Sequence, residues 1–222
     1  EPEAQFTPYG KGWAWDDYQE NYMTLRSLMP VCENKITMEW TKNSNLQGSP
    51  FQYEMTTLNT QPLRFSMEKS TDTALKENTV FRKQNSNAYT IVVNNKMSSF
   101  ELSAPFETFG TEAALGIIQT VSSKKTLARK LTTTDQKYFS TIHSQPSDSL
   151  FSIMMHRSDN FYAEQILLMV GMEKNTGFND EKTIATLLEQ DLNKMPQQPR
   201  WVDGSGLSRY NLFSPEDMVY VI

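Results

Sequence analysis

The hydrophobic period of the chain changes part-way along, and that change limits its possible folds more than any other feature. From about Asn34 to Phe100, runs in which apolar residues recur at every second position are separated by polar turns. Ile36, Met38 and Trp40 alternate with Thr37 and Glu39; Phe51, Tyr53 and Met55 repeat the pattern, as do Leu63, Phe65 and Met67. Such alternation sends successive side chains to opposite faces of a strand. It predicts an antiparallel sheet with one face packed and one wet. Ala88 to Val93 is apolar on both faces, which predicts a strand buried on both sides. Clusters rich in Asn, Ser and Gly, at Thr41–Pro50 and Gln84–Asn87, predict the turns between.

After Pro105 the spacing becomes helical. Ala113, Ala114, Ile117, Ile118 and Val121 form one apolar stripe, and Leu150 to His156 a second, in which Met154 and Met155 fit core positions. Tyr162 to Val170 forms a third, predicted to stop at Gly171 as a C-terminal cap. A fourth helix is predicted over Asp180 to Leu192, with Ile184, Leu187, Leu188 and Leu192 on one face. Ser214-Pro215-Glu216-Asp217 combines an N-cap, a proline at the first helical position and acids in the first turn. Only Met218 to Ile222 follow. A helix that short is unstable in water without continuation or strong packing, so we expect a chain cut from a longer one. The fold class expected is α+β, with a β-rich region over 1–105 and a helical region over 106–222.

Composition excludes several functions. In 222 residues, 21 Lys and Arg face 26 Asp and Glu, a net charge of −5, which argues against a nucleic-acid partner. The longest apolar run, Ile166 to Met172, falls well short of the ~18 residues of a membrane span, so no transmembrane segment is expected. A single cysteine, Cys32, rules out an internal disulfide and a Cys-rich zinc site. The two histidines, His143 and His156, belong to no H-E-x-x-H pattern, and neither a metal nor a cofactor is expected. Trp13, Trp15, Trp40 and Trp201 could stack on sugars, but packing accounts for them as well.

One polar interruption stands out. Ser158-Asp159-Asn160 breaks an otherwise continuous apolar helical pattern from Leu150 to Val170. These residue types hydrogen-bond nearby backbone, so the plain reading is a helix–break–helix in which Ser158 or Asn160 caps the second helix. The same break can hold a hydroxyl and a carboxamide side by side, suited to relaying a proton and gripping a peptide amide.

Ser158-Asp159-Asn160 is the only Ser-x-Asn in the chain, and it resembles the S-D-N element of penicillin-recognising serine enzymes. Arg157 to Gln165, Asp203-Gly204-Ser205-Gly206-Leu207-Ser208-Arg209, Asn211 and Ser214-Pro215 together resemble the D-alanyl-D-alanine carboxypeptidase/endopeptidase family, the class C low-molecular-mass penicillin-binding proteins. Trp13-Ala14-Trp15-Asp16-Asp17 is similar to the stretch where that family's catalytic domain gives way to inserted domains. The resemblance implies a β-rich inserted domain followed by the central helical part of a β-lactamase-like transpeptidase domain. It implies a serine-type peptidase that cleaves peptidoglycan stem peptides through an acyl-enzyme and is acylated by β-lactam antibiotics. It implies a periplasmic or other extracytoplasmic location. Ser158 and Asn160 are the catalytic residues that it transfers.

The family's other elements do not transfer. An S-x-x-K nucleophile needs its lysine desolvated and close, usually at the start of a core helix. Ser66-Met67-Glu68-Lys69 lies in an alternating strand, and Ser122-Ser123-Lys124-Lys125 follows the predicted helix of residues 107–121 in a basic polar tail that continues as the run Lys124–Lys130. No Lys-Thr-Gly occurs; Lys182-Thr183 precedes Ile184 inside a predicted helix. We therefore expect an internal fragment, inactive alone, that lacks the nucleophile and the K-T-G strand. The competing expectation is a non-catalytic module that binds peptidoglycan or a partner.

Overall fold

The computed structural model describes residues 5–42, 53–57, 64–69, 77–93, 99–108, 110–127 and 140–222. Most of the predicted Thr41–Pro50 turn, with Phe51, Leu63 and the end of the Lys124–Lys130 run, lies outside the described residues. Internal contacts divide the chain into two compact units, each discontinuous in sequence. One comprises Glu1–Trp15, Arg26–Leu28 and Leu127–Ile222; the other comprises Asp16–Leu25 and Met29–Thr126.

The second unit carries the strands β1 (Lys35–Lys42), β2 (Tyr53–Thr57), β3 (Arg64–Lys69), β4 (Thr79–Arg82), β5 (Ala88–Val93) and β6 (Ser99–Pro105). They form two three-stranded sheets rather than one, in the orders β2-β1-β6 and β3-β5-β4. The first is antiparallel, with Met38 opposite Thr57 on one side and Leu102 on the other. In the second, β5 pairs antiparallel with β4 but parallel with β3, from Arg64↔Ala88 to Lys69↔Val93. The purely antiparallel expectation is therefore corrected. A parallel pair needs a long crossover, and here the connection from β3 to β5 runs through β4 at the sheet edge.

Ile36, Met38 and Ala104 of the first sheet join Tyr89, Ile91 and Val93 of the second in one buried core, with Val80, Phe100 and Leu102 packed against it. Tyr89 keeps its hydroxyl satisfied by donating to the Pro105 carbonyl at 2.9 Å. The expectation that β5 is buried on both faces is corrected as well. Tyr89, Ile91 and Val93 are buried, whereas Ala88, Thr90 and Val92 are half-buried. β6 was legible but passed over: Phe100, Leu102 and Ala104 alternate with Glu101 and Ser103. The unit also holds α1 (Glu112–Ser122), which ends at Ser123 in the left-handed conformation, φ 55°.

The first unit carries α2 (Ser147–Arg157), α3 (Asn160–Glu173), α4 (Asp180–Gln190) and α5 (Pro215–Val221). Phe161, Leu167 and Leu168 of α3 and Ile184 of α4 are buried. α2 buries no residue, and Met155 is exposed, contrary to its expected core position. Gly171 lies inside α3 rather than capping it. A Cβ there would lie 2.5 Å from both the Gly177 carbonyl oxygen and Thr183 Oγ1, so this glycine serves close approach between elements. α5 begins as predicted: Ser214 accepts from the Asp217 N–H, and the Asp217 carboxylate accepts from the Ser214 N–H at 2.9 Å. Arg200 and Leu212 form an isolated antiparallel bridge. Among the described residues, no helix is long and apolar enough to cross a membrane, and no three His, Cys, Asp or Glu side chains group to hold a metal ion.

Candidate functional site

Ser158, Asp159 and Asn160 occupy the junction of α2 and α3, and each has a different backbone role. Ser158 ends α2 in the left-handed region, at φ 51° and ψ 49°, with its N–H directed to the carbonyls of Met154 and Met155. That conformation costs a non-glycine residue about 1–2 kcal/mol. Asp159 is extended, and its Oδ1 accepts from the Tyr162 N–H at 3.2 Å. Asn160 opens α3. The capping residue is thus Asp159, not Ser158 or Asn160. An acid in that place also suits the positive end of the helix dipole. Ser158 is exposed and Asn160 half-buried. The hydroxyl and carboxamide therefore flank a residue that is committed to structure.

One turn into α3 lies an acid that the sequence reading passed over. Glu164 is fully buried beside Phe161, Leu167 and Leu168 on the same helix. Its Oε1 accepts the N–H and the hydroxyl of Ser205, at 2.8 and 2.6 Å. Its Oε2 lies 3.4 Å from Arg26 Nη1, and the same Nη1 approaches Asp180 at 2.5 Å. Burial pushes the Glu164 carboxyl above its usual range; the Ser205 hydroxyl and the Arg26 charge pull it back, and nearby Asp203 pushes it up again. The available signal was an acid inside an apolar stripe, which is rarely buried unless paired.

Asp203 organises the D-G-S-G-L-S-R block. Its Oδ1 accepts from the Gly206 N–H at 2.9 Å and from Asn211 Nδ2 at 2.7 Å. Its Oδ2 accepts from Trp13 Nε1 at 2.8 Å and from the Ser208 N–H at 2.5 Å. Four donors saturate a buried carboxylate, so Asp203 is a structural hub rather than an acid or a base. Ser208 Oγ donates to the Lys11 carbonyl at 2.7 Å, tying the block to the N-terminal segment. Trp13 is buried, Trp201 half-buried and Trp15 exposed, and the Trp40 side chain lies outside the described residues. Of the serines dismissed as nucleophiles, Ser66 falls in β3, and Ser122 donates its hydroxyl back to the Ile118 carbonyl at 2.6 Å. Lys182 and Thr183 lie in the first turn of α4.

Residues 6–222 match the model of the D-Ala-D-Ala carboxypeptidase 3 (S13) family. The chain belongs to that family. No curated protein matches it. The structure of penicillin binding protein 4 (dacB) from Haemophilus influenzae superposes with a TM-score of 0.68 at 20% identity, covering 98% of this chain and 50% of that one. The same protein complexed with a novel β-lactam superposes with a TM-score of 0.56 at 20% identity, covering 85% and 45%. This S13 chain therefore shares the α+β penicillin-binding fold and spans about half the length of the solved relatives, 50% and 45%.

Proposed function

We propose that the chain is part of a serine-type D-Ala-D-Ala carboxypeptidase or endopeptidase that acts on peptidoglycan stem peptides outside the cytoplasmic membrane. The observation that carries this reading is the Ser158–Asp159–Asn160 junction in a chain matched over residues 6–222 by the S13 family. In such an enzyme a serine oxygen attacks the D-alanyl carbonyl, the peptide C–N bond breaks, and the terminal residue leaves as an amine. Water then cleaves the ester and regenerates the serine. Ser158 passes the proton between nucleophile and leaving amine, and the Asn160 carboxamide grips the substrate amide. The nucleophile with its lysine, and the K-T-G strand, belong to the part of the fold that these residues do not span. β-Lactams acylate the same serine.

The test is labelling with fluorescent penicillin. The whole protein is expected to be labelled at a serine outside residues 1–222, and Asn160→Ala is expected to slow labelling by about 100-fold, as for loss of an orienting group. Covalent labelling of the 222-residue chain at Ser66 or Ser122, or an unchanged rate in Asn160→Ala, would overturn the assignment.

A further inference from the structure

Glu164 takes no part in the chemistry just proposed, yet the first turns of α3 are held through it. Asn160 and Glu164 are four residues apart, so they stand one above the other on the same face of α3. On one side Glu164 Oε1 receives both donors of Ser205. The neighbouring Gly204 comes so close that a Cβ on it would lie 2.6 Å from the Ala163 carbonyl oxygen and 3.2 Å from Leu167 Cβ. The D-G-S-G loop therefore bears directly on α3 one turn beyond Asn160.

On the other side, Oε2 faces Arg26, which is itself held. Arg26 donates to the Thr7 carbonyl from Nε at 3.1 Å and from Nη2 at 2.8 Å, and pairs with Asp180. Next to it, Ser27 exchanges two hydrogen bonds with the Gln165 amide, at 3.1 and 2.9 Å. Two segments remote in sequence thus grip α3 at adjacent residues, 164 and 165.

We infer that Glu164 is a positioning residue for the Ser158–Asn160 pair. By clamping α3 between the D-G-S-G loop and the Arg26–Ser27 segment, it sets where the Asn160 carboxamide and the Ser158 hydroxyl are held. A displacement of about 1 Å in such a group costs on the order of 100-fold in rate. The inference rests on the S-x-N reading above.

The experiment measures acylation of the whole protein by fluorescent penicillin, separating the limiting rate from the apparent non-covalent binding constant. Glu164→Ala is expected to lower the limiting rate by about 30- to 100-fold and to leave the binding constant within about 3-fold. Glu164→Gln keeps an oxygen that accepts from Ser205 and is expected to restore the rate to within about 5-fold of wild type. If Glu164→Ala does not fold, Ser205→Ala takes its place, with an expected loss of about 5- to 10-fold. A folded Glu164→Ala with a limiting rate within 2-fold of wild type sinks the inference, and so does a glutamine variant no better than alanine. So does an unchanged rate in Ser205→Ala where that variant is needed. Asn160→Ala measured in parallel separates the failures. If it leaves acylation unchanged, the S-x-N reading falls and the role of Glu164 with it. If it slows acylation while Glu164→Ala does not, only the role of Glu164 falls.

Discussion

The indole N–H of Trp13 donates to the carboxylate of Asp203 at 2.8 Å, joining residues separated by 190 positions in the chain. Both partners are buried, and each Asp203 oxygen already serves two donors. The junction of N-terminal segment and D-G-S-G-L-S-R block therefore depends on both oxygens remaining acceptors.

Asp203→Asn tests that dependence. Whichever way the amide turns, its NH2 faces two donors and leaves buried groups without acceptors. The expected loss is about 2–4 kcal/mol in urea unfolding, with the Trp13 fluorescence shifted toward a wetter environment. A loss below 0.5 kcal/mol would show that water replaces the carboxylate without penalty.

Gly171→Ala should destabilise, although alanine is the better helix former by about 1 kcal/mol. The added methyl meets a backbone oxygen and Thr183 Oγ1 at 2.5 Å, and Thr183 is already bonded to Thr176 at 2.7 Å. Overpacking of this kind costs about 1–3 kcal/mol, so the net change in a thermal melt is a lower midpoint. A raised midpoint would mean that the α3–α4 approach is looser than the distances state.

The pH dependence at Glu164 has a definite sign. Its folded carboxyl is raised by burial, so the folded state holds this proton more tightly than the unfolded state. The stability linked to that proton is fully present below the unfolded pKa and is lost as pH rises through the raised folded value. The stability of wild type relative to Glu164→Gln is therefore expected to fall as pH rises from the ordinary carboxyl range through the raised folded value in matched denaturation series. A relative gain over that range would mean that Arg26 outweighs the desolvation.

Asp217 behaves in the opposite way. Burial pushes its carboxyl up, but the Ser214 N–H and hydroxyl and the Gln197 N–H outweigh burial, and the net shift is downward. Its contribution is present above the unfolded pKa and is lost as pH falls through the depressed folded value. Hydrogen-exchange protection of α5 should hold down to about pH 4 and drop only as pH falls further toward the depressed folded value, and Asp217→Asn should show little of that drop.

What could be read from sequence followed how local the determining interactions are. The start of α5 was legible because Ser214, Pro215 and Asp217 act on one another within a single turn. The approximate helices followed from apolar spacing. The Gly171 reading failed because what decides that glycine is a contact with Gly177 and Thr183, not its own backbone. The capping role moved to Asp159 because three adjacent cap-forming residues carry the same local signal. The parallel β3–β5 pair, the Glu164–Ser205 bonds and the Trp13–Asp203 bond join distant positions, and no periodicity reports such pairings.

The division of the chain into nested pieces bears on how it is made. The unit holding both sheets uses only residues between 16 and 126, whereas the other needs segments 1–15 and 26–28 together with residues after 126. During synthesis the sheet-bearing unit can close while segments 1–15 and 26–28 wait for partners that lie after residue 126. Domains generally fold as units during synthesis, and long-range pairing is slow. The bonds from Trp13 to Asp203, from Arg26 to Glu164 and between Ser27 and Gln165 therefore form only after the later partners emerge, which leaves an interval in which chaperones and proteases can reach these segments.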